Sequence, residues 1–312
     1  VVPAPTLEND LKKLLAIAAM SCTPAIAAAA VHALVVEGLA GEPAYADAFE
    51  RQASAIGAAL RTLPDSDDVR VLRGDTASRD AILARLEELQ GTLTAADRVV
   101  LVLVGHGSYD DFEYKFNLPG PDITGEEIVA ALDALPATTQ VLINTSSASG
   151  AIAELAAADG RTVVLATRSG VERHATRFGG FFADALTDGA ADTNKNERIS
   201  VTEAFRYAER QVADYYERNG QLATEHPVID GGQADRVALA QLGGVPPAVA
   251  DEDLAQLIAE RDVLNARINE LQLTRDTMSP DDYRSALLEQ MLELARVEDA
   301  IEARQEELDD VR

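Results

Sequence analysis

Arg98-Val-Val-Leu-Val-Leu-Val104 constrains this chain more than any other segment. Its six consecutive apolar residues, four of them β-branched, leave no polar face. A strand built from them is buried on both sides, which is the habit of strands inside a parallel sheet. His32–Glu37, Val69–Leu72, Gln140–Asn144 and Arg161–Thr167 read as further strands. Helical patterns lie between them at about Tyr45–Leu60, Ala77–Gln90 (capped by Asp75 or Thr76), Thr124–Leu135, Ala148–Ala158 and Phe178–Thr187. Thr124-Gly-Glu-Glu127 is a capping box. Strand and helix alternating at this spacing predict an α/β fold, a mainly parallel sheet with helices on both faces. Ligands of such sheets bind beyond the carboxyl ends of the strands.

Charge narrows the partners. Asp and Glu number 53 against 27 Lys and Arg, a net charge of −26. Phosphate repulsion with no offsetting basic stripe argues against nucleic acid, and the same charge disfavours anionic lipid. The single cysteine, Cys22, excludes an internal disulfide framework and a thiolate metal cluster. Lys12 and Lys13, the apolar run Leu14–Met20 and the small-residue exit at Ala25-Ile26-Ala27 form the three parts of a secretory signal. Residues 1–30 therefore read as an extension plus signal peptide. The exported chain, periplasmic or secreted, begins at or near Ala28 or Val31. No other apolar run is long enough to span a bilayer.

Gly243-Gly-Val-Pro-Pro247 opens a linker, 243–250, beyond which the pattern changes. Leu254, Leu257, Leu264, Ile268 and Leu271 fall on a heptad seam that also includes Arg261. Leu287, Met291, Leu294, Ile301 and Leu308 form a second seam. Ser279-Pro280-Asp281-Asp282 between them is a helix start. Residues 251–312 are thus expected to form an antiparallel α-helical hairpin that docks or self-associates.

Two strand ends carry chemistry. Gly105-His106-Gly107 follows the strongest strand, and Asn144-Thr-Ser-Ser-Ala-Ser-Gly150 follows the next. A His and a hydroxyl on neighbouring strand ends can converge over a cleft as base and nucleophile, while the glycines let backbone N–H groups approach a reacting carbonyl. Taken singly, Gly-His-Gly is also an ordinary turn, and a Ser cluster before a helix is an ordinary N-cap.

In order and spacing, residues 31–240 resemble the legumain family of cysteine peptidases in the caspase-like clan, best across Val99–Ser108 and Val141–Gly150. The resemblance implies His106 as general base, Ser147 at the nucleophile position two residues before Ser149-Gly150, and the N–H of Gly107 as oxyanion donor. It implies Arg168 and Ser169 in the substrate pocket. Three departures accompany it. Ser147 stands where the family has Cys, the loop Glu37-Gly-Leu-Ala-Gly41 lacks the family's Asn, and the family's pocket Arg is missing near Tyr45. A thiol ionises near neutrality, whereas a hydroxyl needs a base in direct contact.

A second motif, Asp192–Glu203 (DTNKNERISVTE), resembles the twelve-residue calcium loop of an EF-hand. Asp192, Asn194 and Asn196 occupy the first three ligand positions, Arg198 offers its carbonyl, Ser200 stands at the ninth and Glu203 at the twelfth. Glu197 occupies the position where the pattern wants Gly. Ser200-Val-Thr-Glu203 is also a capping box in its own right. His32, His174 and His226 show no metal-ligand spacing and read as structural or surface residues.

The sequence therefore predicts an exported caspase/legumain-like domain over 31–242, with a possible structural calcium at 192–203 and a helical hairpin over 251–312. The expected function is that of a pseudo-peptidase binding peptide or protein. The competing readings are an active hydrolase using His106 and Ser147, and an acidic scaffold assembling through its hairpin.

Overall fold

The computed structural model describes residues 29–242, 252–273 and 278–310. The signal-peptide expectation, but for its last two residues, and the linker 243–250 lie outside the described residues. Strands β1 (Val31–Glu37), β2 (Ser66–Leu72), β3 (Arg98–Val104), β7 (Thr139–Asn144), β8 (Arg161–Leu165) and β10 (Val228–Asp230) form one six-stranded sheet. Its order is β10-β8-β7-β3-β1-β2; every pairing is parallel except that of β10 with β8. The fold is thus α/β with a mainly parallel sheet flanked by helices, as the alternation predicts.

Strand β3 runs at the centre and is buried on both faces. Val100, Val102 and Val104 face one core, with residues of helices α1 (Pro43–Leu60), α5 (Phe178–Ala185) and α6 (Val201–Arg218). Val99, Leu101 and Leu103 face the other, with residues of α2 (Arg79–Thr92) and α3 (Gly125–Asp133). Each fully buried Val or Leu stabilises the fold by about 1.5–3 kcal/mol. The register pairs Val104 with Glu37 and Leu103 with Asn144, so the loops after β3 and β7 emerge side by side at the carboxyl edge.

Local chemistry fixes the helix starts. The Thr124 hydroxyl accepts the Glu127 N–H at 3.1 Å, and the Glu127 carboxylate accepts the Thr124 N–H at 3.0 Å, completing the expected box. Arg79 holds the same carboxylate, and that ion pair with the Thr124 N–H brings the Glu127 pKa down to about 2. Helix α2 starts at Arg79 rather than Ala77. Ser78, not Asp75 or Thr76, is its cap, accepting the Ala81 N–H at 3.2 Å, because Gly74–Thr76 is spent in a 3-10 turn. The helix expected over Ala148–Ala158 is also corrected. Ala148 is left-handed (φ 56°), Ser149–Ile152 is a 3-10 turn, and only Ala153–Ala156 (α4) is α-helical before Ala157 turns extended.

Two small sheets escape the alternation argument. β4 (Gly107–Tyr109), β5 (Tyr114–Phe116) and β6 (Ile123–Thr124) form an antiparallel meander after β3. β9 (Arg198–Ser200) pairs with β11 (Ala238–Gln241). The C-terminal helices α7 (Glu252–Leu273) and α8 (Pro280–Asp310) pack antiparallel, with Leu254 and Leu264 buried alongside Val297 and Ile301, and Arg304 3.6 Å from Asp253. The second seam is corrected by one position. Val297 is buried in it, the Gln290 side-chain oxygen is buried, and Met291 is mostly exposed.

Candidate functional site

The loop after β7 sorts its hydroxyls by partner. Asn144 is fully buried; its Oδ1 accepts the Ser146 hydroxyl at 2.8 Å and the Ser146 N–H at 3.2 Å. Its Nδ2 donates to the Tyr114 hydroxyl at 2.9 Å, and that hydroxyl lies 2.7 Å from Ser146 Oγ. Burial pushes the Tyr114 phenol up to about 12, so it stays a neutral donor, and the ring Asn144–Ser146–Tyr114 closes with every group satisfied. Thr145 donates to the Leu103 carbonyl at 3.0 Å. Ser149 lies 3.2 Å from the Thr167 hydroxyl.

Ser147 turns the other way, toward the β3–β4 turn. Its Oγ donates to the Gly107 carbonyl at 2.8 Å and accepts the Gly107 N–H at 3.2 Å. The two loops approach so closely that a Cβ on Gly107 would lie 2.5 Å from the Ser147 carbonyl and 2.6 Å from Ser146 Oγ. Ala148, next in the chain, holds its left-handed conformation with its N–H on the Glu172 carbonyl at 2.8 Å. A buried non-glycine residue in that region costs about 1–3 kcal/mol, which the surrounding contacts must outweigh.

His106 is held from the α1 side. Its ring meets Tyr45 edge-on at 4.6 Å and Phe49 at 5.0 Å. Burial there lowers its pKa below the usual 6.5, opposed by a hydrogen bond to the Ala40 backbone and the charge of Glu42. At neutral pH the imidazole is uncharged and keeps a lone pair, as a base requires. The described hydrogen bonds of the Ser147 hydroxyl nevertheless both go to the Gly107 peptide, so its proton points at a carbonyl oxygen and not at a base.

The loop after β8 completes the surroundings. Arg168 and Ser169 lie against the Ser147 loop: a Cβ on Gly150 would meet Ser169 N at 2.1 Å. Glu172 ties this loop together, accepting the Arg168 N–H at 3.1 Å, the His226 N–H at 3.1 Å and His226 Nδ1 at 2.7 Å. The Arg168 guanidinium is 3.3 Å from the same carboxylate and largely exposed. Tyr109 packs on Gly170, and Arg173 reaches Asp111 at 2.6 Å, joining the β4–β5 hairpin to this loop. Phe112 at the hairpin tip and Val171 stand exposed on its rim. Sequence reasoning missed Tyr45, Phe49, Tyr114 and Glu172. Tyr45 and Phe49 reach His106 from a helix some sixty residues earlier in the chain, a contact that no local pattern announces.

The loop 192–203 folds as a closed turn between α5 and α6. Asp192 accepts the N–H of Asn196 at 3.2 Å and of Glu197 at 2.9 Å, Asn194 accepts that of Asn196 at 3.1 Å, and Asn196 that of Arg198 at 2.9 Å. Glu197 takes φ 60°, the conformation for which the pattern prefers Gly. Arg198–Ser200 is strand β9, with Ile199 fully buried. Glu203 completes the capping box with Ser200, and its other oxygen accepts the Thr193 N–H at 3.1 Å, closing the end of the loop on its beginning. The oxygens of Asp192, Asn194, Asn196 and Glu203 and the Arg198 carbonyl fit a hard oxygen-seeking cation in type. No group of three or more His, Cys, Asp or Glu able to hold a metal occurs among the described residues; this set relies on asparagine and backbone oxygens instead.

Grooves of about 390 and 600 Å³ open at the opposite, amino-terminal end of the sheet around Arg161. The Arg161 guanidinium there already donates to Gln140 at 2.9 Å, to the Ala156 carbonyl at 3.1 Å and to Asp133 at 2.7 Å.

Fold and site together define an α/β protein whose mainly parallel sheet brings a His-Gly turn and a serine-rich loop together at its carboxyl edge. No family model and no curated protein matches the chain. Among solved structures it is similar to protein GSU0716 from Geobacter sulfurreducens, at 11% identity and a TM-score of 0.45, over 68% of this chain and 99% of that one. Among the described residues no helix is long and apolar enough to cross a membrane.

Proposed function

We propose that this chain is an exported relative of the legumain family that has lost peptidase chemistry and keeps the cleft as a binding surface for peptide or protein. The observation that carries this reading is the Ser147 hydroxyl, which donates to the Gly107 carbonyl at 2.8 Å. A thiol is a weak donor and ionises readily; a hydroxyl makes a firm hydrogen bond and ionises with difficulty. With Ser at this position, the nucleophile of the resembled family becomes a clasp between two loops. Arg168 and Ser169, the rim residues Phe112 and Val171, and the exposed Arg173 supply the contacts for an extended chain. Calcium at 192–203, held by Asp192, Asn194, Asn196, Ser200, Glu203 and the backbone of Arg198, would fix the turn between α5 and α6 and takes no part in chemistry at Ser147.

A second reading, a His106–Ser147 hydrolase, is favoured by one observation, the neutral imidazole beside the loop. Peptide cleavage by the wild type separates the two, and Ser147→Cys asks how much besides the nucleophile has been lost. If only the nucleophile has been lost, Ser147→Cys reacts with thiol-directed peptide electrophiles and His106→Ala removes that reactivity. The pseudo-peptidase reading expects little gain, because the loop Glu37–Gly41 and the pocket Arg also depart from the resembled family. Rapid peptide cleavage by the wild type that disappears in Ser147→Ala would overturn it.

A further inference from the structure

The helical hairpin bears an apolar stripe that its own pairing leaves uncovered. The α8 seam runs through Leu294, Val297, Ile301 and Leu308, packed against α7. Leu288, Met291, Leu292 and Ala295 follow a separate i, i+3, i+4, i+7 pattern, centred about 140° around the helix from that seam. Leu288 is 60% exposed, Met291 54% and Leu292 54%. A helix with two apolar stripes is built for two neighbours, and α7 supplies only one.

We propose that this stripe is a docking surface for a basic amphipathic helix of a partner protein. The shape argues for a helix: two turns of alternating ridge and groove, about 10 Å long, accept residues at the same i, i+3, i+4, i+7 spacing. Charge argues for a basic one. Residues 280–310 carry eleven acids against three arginines. Arg284 is paired with Asp281, and Arg304 with Asp253 and Glu307. Glu289, three residues before Leu292, and Asp299, four after Ala295, are exposed and border the stripe, with exposed Arg296 the one basic neighbour of Leu292. A second copy of this chain would set the same acids against each other, which costs affinity and slows encounter; lysines or arginines flanking an apolar face complement them. The inference does not depend on the reading of the Ser147 site.

The test is titration of the full chain against two fluorescent synthetic helices with identical leucine faces, one with a lysine and one with a glutamate polar face. The lysine helix is expected to bind and the glutamate helix not, with affinity falling about tenfold or more between roughly 50 mM and roughly 500 mM salt. Leu288→Ala/Met291→Ala/Leu292→Ala should weaken binding about tenfold or more while the melting curve keeps its shape. Glu289→Lys/Asp299→Lys, which changes only exposed charges, should erase the preference for the lysine helix. Equal affinity in wild type and the triple alanine variant would overturn the proposal, as would equal binding of the two helices. Light scattering that finds a dimer in the wild type and a monomer in the alanine variant would overturn it in favour of a second copy.

Discussion

Ser147 and Gly107 share two hydrogen bonds across adjacent loops, and the smallest changes to that pair are the most informative. Ser147→Ala removes both and should cost about 1–2 kcal/mol in a urea melt. Gly107→Ala should cost at least as much, since its Cβ would sit among backbone and a buried hydroxyl with little room to give. His106 makes a separate prediction through pH. Its folded pKa lies below 6.5, so the unfolded chain binds the proton first. Its contribution to stability is complete above about pH 6.5 and is lost as pH falls toward the folded value. The melting-temperature gap between wild type and His106→Asn should therefore narrow on acidification through that window. A gap that widens would contradict the burial of the imidazole. Glu127 acts lower on the scale: held at about 2 against 4.5, it stabilises above about 4.5 and stops doing so as pH drops toward 2. At this scale the sequence disclosed His106, Gly107 and Ser147 because they follow strands. It hid Tyr114 and Glu172, whose partners are 32 and 54 residues away.

At the scale of elements, legibility followed pattern length. Six apolar residues in β3 announce a central strand, and the Thr124 and Ser200 boxes announce helix starts. The meander β4–β6 has strands of two or three residues and gave no periodic signal; its turn rests on the Asp110 carboxylate accepting the Phe112 and Glu113 N–H groups. The segment after Ser147 read as a helix because alanine favours helices. The left-handed Ala148, tied to Glu172, overrode that propensity. The loop 192–203 carries its own prediction. If it binds calcium with a dissociation constant near 10⁻⁴ M, 1 mM calcium stabilises the fold by about 1.4 kcal/mol, a melting shift of about 3–5 °C. Glu203→Gln lowers the baseline, because it also weakens the α6 cap, and should abolish the calcium-dependent part. Identical curves with calcium and with chelator would leave Glu203 as a cap alone.

Across the whole molecule, the described residues comprise an α/β body over 29–242 and the paired acidic helices α7 and α8. The hairpin's pairing was legible from spacing, while the one-position shift from Met291 to Gln290 was not, because a polar side chain with a buried oxygen in a seam runs against pattern. The amino terminus adds a prediction about processing. The Ala30 N–H donates to Asp97 at 3.0 Å and its carbonyl accepts the Arg98 N–H at 2.8 Å, so Ala30 belongs to the folded body. If the proposed signal is removed, cleavage after Ala27 keeps those bonds, and N-terminal sequencing of the processed protein should start at Ala28. Purified exported protein that retains Leu14–Met20 would contradict a cleaved signal.

The account as a whole rests on Ser147 being a clasp and not a nucleophile. Intact-mass measurement of the wild-type chain after incubation with serine-directed peptide phosphonates tests this most directly. The account predicts an unmodified mass for wild type, His106→Ala and Ser147→Ala alike. A stoichiometric adduct mapped to Ser147 in the wild type, and lost in His106→Ala, would contradict it.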